Sequence, residues 1–89
     1  MMYGYLTFQD GTGVAHSDMN SDGTVKVYFE KPIDGGFLHA TCYLPSYRWE
    51  ENSGFSSKEI EFFNRFLKNN AHLILEFSQE GGFENASSY

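Results

Sequence analysis

The run Gly54-Phe55-Ser56-Ser57-Lys58-Glu59-Ile60-Glu61-Phe62-Phe63-Asn64-Arg65-Phe66-Leu67-Lys68-Asn69-Asn70 constrains the chain more than any other stretch, because it holds a helix together with the signal that starts it. Ser56 and Glu59 have the spacing of a capping box, in which the hydroxyl accepts from the N–H three residues on and the carboxylate reaches back to the cap N–H. Phe55 and Ile60 have the spacing of a hydrophobic staple, which fixes the angle of entry. Ile60, Phe63 and Leu67, widened by Phe62 and Phe66, line one face of the helix, so that face needs an apolar surface to lie on.

Everything upstream reads as sheet. Residues 2–9 alternate, placing Tyr3, Tyr5 and Thr7 on one face and Leu6 and Phe8 on the other. A short strand over 14–19 is followed by a stronger one over 24–31, where Val25, Val27 and Phe29 alternate with Lys26, Tyr28 and Glu30. Asp22-Gly23 between them is a hairpin signal, since Gly accepts the positive φ such a turn demands. Pro32 and the Gly35-Gly36 pair end that strand. The next, over 37–44, turns Leu38, Ala40, Cys42 and Leu44 inward and Phe37, His39, Thr41 and Tyr43 outward. Residues 46–54 read as a connector with a short extended piece near Tyr47 to Trp49.

Downstream, Asn69-Asn70 can stop the helix. Residues 71–80 read as a short second helix, although Leu73, Leu75 and Phe77 also have strand spacing. Residues 83–89 read as a disordered tail. Strands in a run followed by helices predict one α+β domain over residues 1–82, in which a four-stranded antiparallel, meander-like sheet is packed on one face by one or two C-terminal helices as a two-layer sandwich.

That architecture leaves rings without a place. Nine Phe, six Tyr and one Trp make up 18% of an 89-residue chain, and helices on one side can cover only one face of the sheet. The expected outer face carries Tyr3, Tyr5, Tyr28, Phe37, His39 and Tyr43, with Tyr47 and Trp49 supplied by the connector. Such an aromatic face marks a protein-interaction surface, Tyr being favoured there because it is large, rigid and able to hydrogen-bond. The sequence therefore points to a protein-interaction domain with a protein partner, a homodimer being the simplest form because an isologous contact needs only one patch. Cross-strand aromatic pairing that merely stabilises the sheet is the plainer use of the same rings.

A net charge of −6 opposes binding to phosphate backbones, so nucleic acid is not an expected partner. Neither a signal-like segment nor an apolar run of about 18 residues is present, so a cytoplasmic location without membrane contact is expected. Cys42 is alone and faces the core, which makes it an inert thiol rather than half of a disulfide.

Two other readings rest on acidic residues. Asp18-Met19-Asn20-Ser21-Asp22-Gly23 resembles the opening of an EF-hand or dockerin-type calcium loop, and the resemblance implies Asp18, Asn20 and Asp22 as metal ligands. It covers this loop alone, for the twelfth position is Phe29, with Glu30 one residue late. Asp18, Asp22, Glu50, Glu51, Glu59 and Glu61 together suit an acidic decoy that imitates nucleic acid before a basic partner. His16, His39 and His72 stand in no Cys-x-x-Cys, His-Glu-x-x-His or Gly-x-Ser-x-Gly pattern, so no enzyme and no cofactor is expected.

Overall fold

In the computed structural model, which describes residues 1–80, five strands precede a single helix: β1 (Met2–Thr7), β2 (Gly13–Ser17), β3 (Val25–Ile33), β4 (Gly36–Leu44), β5 (Arg48–Ser53) and α1 (Ser57–Glu80). The strands pair antiparallel with their chain neighbours, in the order β1-β2-β3-β4-β5, and the helix packs on one face. The α+β, antiparallel, helix-on-sheet architecture is thus as expected, with five strands in place of four and one helix in place of one or two. The tail expected at 83–89 lies outside the described residues.

The fifth strand replaces the expected connector. Its sequence hides it because β5 is an edge strand with little to bury, and Trp49 alone packs against the core. Its pairing also slips: Trp49 faces Cys42 and Glu51 faces Thr41, so Glu50 is the extra residue of a bulge. No alternation survives that insertion.

The first strand is displaced in the same way. Gly4 pairs with Ala15 and Leu6 with Val14, leaving Tyr5 as the additional residue. The insertion offsets the residues before it from Phe8, so that Tyr5 as well as Phe8 meets the helix, the Tyr5 ring lying 6.1 Å from Phe66 and 6.2 Å from Phe77 with its hydroxyl donating to Asn70 Oδ1 at 2.8 Å. Tyr3 pairs with buried His16 and packs against its ring at 5.6 Å. Both tyrosines therefore lie on the core side of the sheet, against the outward placement expected for them.

The helix begins as its sequence demands. Ser56 N–H donates to Glu59 Oε1 at 2.9 Å and Glu59 N–H donates to Ser56 Oγ at 3.1 Å, closing the capping box. It does not stop at Asn69-Asn70. Asn70 Nδ2 donates to the Phe66 carbonyl while its oxygen serves Tyr5, so the side chain is occupied within the helix–sheet interface and the buried stripe of Phe63, Leu67, Ile74 and Ser78 runs on past it. Near the Glu80 end the Ser78 carbonyl accepts the Met19 N–H at 3.1 Å, which ties the β2–β3 loop to the helix.

Phe63 joins the layers. It stacks on Phe29 of β3 with centroids 4.4 Å apart and planes 15° from parallel, and meets Phe55 edge-on at 5.0 Å. The turn from β5 into the helix is made by Asn52, whose amide clasps the Phe55 backbone in both directions, and by Gly54 at φ 104. A Cβ at Gly54 would collide with Leu38 Cδ2. Gly54→Ala is therefore expected to cost about 1–3 kcal/mol, read as a lower midpoint in urea with an unchanged slope. Phe63→Ala is expected to remove about 3–5 kcal/mol and to leave the domain largely unfolded in thermal melts, because small domains hold only roughly 5–15 kcal/mol in all.

Candidate functional site

The helix covers one face of the sheet and leaves the other open, so the open face is where β2, β3 and β4 can present side chains to a partner. Its rows follow from the pairing. Gly4, Ala15, Tyr28, Thr41 and Glu51 form one row, and Thr7, Gly13, Glu30, His39 and Ser53 the next. Pro32 and Phe37 lie opposite each other towards the β3–β4 turn. Pro is tolerated there because β2 pairs no further along β3 than Glu30, so no ladder bond to β2 is lost.

These rows enclose a trough of about 500 Å³, floored by Gly4, Gly13 and Ala15 and bordered by Leu6, Tyr28, Glu30, Pro32 and Phe37. Phe37 is 58% exposed and Leu6 37%, large apolar groups standing in water at its rim. Tyr28 donates its hydroxyl to Glu30 Oε2 at 3.1 Å and stacks on His39 at 6.2 Å. Burial raises the Tyr28 phenol above its ordinary value, and the Glu30 and Glu51 carboxylates add to that. Glu51 Oε1 lies 3.1 Å from His39 Nδ1, at ion-pair distance but out of line for a hydrogen bond. At the far corner the Arg48 guanidinium sits over the Tyr43 ring at 5.0 Å and pairs with Glu50 at 2.8 Å.

Of the eight residues expected on this face, Tyr28, Phe37, His39 and Tyr43 are brought together on it. Tyr3 and Tyr5 are not, since Tyr3 lies beside buried His16 and Tyr5 beneath the helix. Trp49 also turns inward, donating Nε1–H to Asn64 Oδ1 at 2.8 Å with its ring 5.5 Å from Phe29. Tyr47, in the left-handed region at φ 59, packs against the core from the β4–β5 turn. Leu6 and the glycine floor escape sequence reasoning, because the misplaced phase of β1 sends Leu6 to the core and gives the glycines no role. The one available signal is a pair of glycines inside strands, where glycine is unfavourable without a reason.

The acidic candidates are dispersed. Asp22 Oδ1 accepts both the N–H and the hydroxyl of Thr24, which hold its carboxyl below the usual range, and Asn20 Nδ2 donates to the same hydroxyl. Asp18 lies beside Tyr3, whose phenol its carboxylate raises. Among the described residues no three His, Cys, Asp or Glu side chains assemble as a metal set. Glu59 is occupied by the capping box, Glu50 by Arg48 and Glu51 by His39, so the six carboxylates named as a decoy belong to three separate regions.

Compared with known protein families, with curated proteins and with solved structures, the chain matches none.

Two outcomes follow from this geometry. Calcium at millimolar concentration is expected to leave the melting temperature unchanged, whereas a real site at a hundredfold its Kd would add about 2.7 kcal/mol. Burial pushes the Cys42 thiol up to about 12, so it is expected to resist a disulfide reagent at pH 8 in the native state and to react at the rate of a free thiol once urea unfolds the chain.

Proposed function

We propose that the protein acts by docking a polypeptide on the outer face of its sheet, around Tyr28 and Phe37, with His39 and Tyr43 at the rim. The observation that carries this reading is the trough itself, a concave apolar surface edged by exposed Phe37 and Leu6 on the side the helix does not cover. Rigid strands beneath it favour such a use, because a preorganised surface loses little freedom on binding.

The sheet edges favour it as well. Both edge strands carry a bulge, β1 between Gly4 and Leu6 and β5 opposite Thr41 and Cys42, and β5 adds the charges of Arg48, Glu50 and Glu51. Edges interrupted in this way pair poorly with an incoming strand, which leaves the face as the better platform. A second copy of the chain is one occupant that an isologous contact allows.

A photoreactive residue at position 37, as in Phe37→p-benzoylphenylalanine, tests this in the native cell. Covalent transfer to a polypeptide, either the same chain or another, is expected from position 37 and not from a probe at Phe62, which is 46% exposed on the helix. Adducts from position 62 with none from position 37 would place the contact on the opposite layer and end the proposal.

A further inference from the structure

The floor of the trough is bare for no backbone reason. Gly4 lies in a strand, without the positive φ that would require glycine, and a Cβ built on it meets nothing within 4 Å. At Gly13 a Cβ would make only an ordinary contact, 3.9 Å from the Glu30 carbonyl. Glycine inside a strand is less favourable than alanine, since it gives up more backbone freedom on folding. Side chains that fit and would stabilise the strand are absent, and what their absence leaves is space.

One wall of that space is charged. Glu30 accepts a hydrogen bond from Tyr28, yet among the described residues it has no ion pair: Lys31 turns to Asp10, His39 to Glu51 and Arg48 to Glu50. The remaining walls include Leu6, Thr7, Pro32 and the rings of Tyr28 and Phe37. An apolar channel with aromatic sides and one uncompensated carboxylate is complementary to a side chain that has an aliphatic stem and a cationic head. A neutral or acidic occupant would desolvate Glu30 without replacing its water.

We propose that the trough seats a lysine or arginine side chain of the docking polypeptide, its stem between Leu6 and Phe37 and its head against Glu30 and the Tyr28 ring. This rests on the reading of the outer face as a docking surface and adds the chemistry that the face selects. The net charge of −6 works in the same direction, drawing a basic partner in before contact.

The test is a backbone amide NMR titration of the intact chain with the peptide acetyl-Ala-Arg-Ala-amide and its counterpart in which citrulline, neutral and nearly isosteric, replaces arginine. Saturable shifts at Gly4, Gly13, Ala15 and Tyr28 are expected with arginine, and binding about tenfold or more weaker with citrulline. Glu30→Gln is expected to erase the difference between the two peptides. Gly4→Val, which fills the floor without strain, is expected to abolish both sets of shifts while keeping the melting temperature at or above that of the parent.

Equal binding of the two peptides, shifts scattered along the acidic first turns of the helix, or an unaffected Gly4→Val variant would each overturn the inference. If any of these occurs while position 37 still crosslinks to a polypeptide, the cation seat alone is lost. If crosslinking at position 37 also fails, the docking face itself is lost.

Discussion

The stack of Phe63 on Phe29 is the contact from which the other features of this domain take their positions. A chain of 89 residues buries a modest share of its surface, so its two layers need contacts with large area per residue, and aromatic rings supply that. Phe8, Phe55, Phe62 and Trp49 gather around Phe63 within 6.4 Å of its centroid, so one helical side chain meets the β1–β2 loop, the β5 strand and its own N-terminal approach. Two polar contacts then set the helix along the sheet. Tyr5 from β1 and Trp49 from β5, the opposite edges, each carry a polar tip to an asparagine of the helix, Asn70 and Asn64. A buried hydroxyl or indole N–H left unpartnered would cost roughly 1–3 kcal/mol, so sliding the helix along the sheet is opposed at both ends.

What the first layer holds decides what the second face offers. Tyr3, Tyr5, Tyr47 and Trp49 add their rings to the core side, and the outer face keeps Tyr28, Phe37 and Tyr43 with His39. One helical layer still leaves rings uncovered after this exchange, because that follows from layer geometry and not from which strand supplies each ring. The face that results is smaller and more concave than a row of five tyrosines, since glycine and alanine occupy the positions next to β3.

Legibility in the sequence followed the presence of an uninterrupted period. The capping box of Ser56 and Glu59, the Val25-Val27-Phe29 alternation and the inward set of β4 are local patterns, and the fold realises them unchanged. β1 and β5 are the places where reading fails, and for one reason: an inserted residue costs a strand its phase, and Tyr5 and Glu50 look like any other position until their partners across the ladder are known. Asn69-Asn70 misleads differently. Asparagine favours a stop only where its side chain is free to cap, and Asn70 is engaged by a tyrosine 65 residues away in sequence. The trough was out of reach because it is made of what glycine lacks, and a missing side chain declares its purpose only when its surroundings are seen.

The bulged borders have a consequence for how the molecule can be used. Continuous ladders between neighbouring copies are the usual hazard when β domains are crowded or strung together on one polypeptide, and a sheet whose first and last strands both break register offers a poor template for them. Such a unit can be repeated in tandem or displayed densely on a scaffold, each copy keeping its own boundary, while the proposed docking face stays perpendicular to the direction in which fibres would grow.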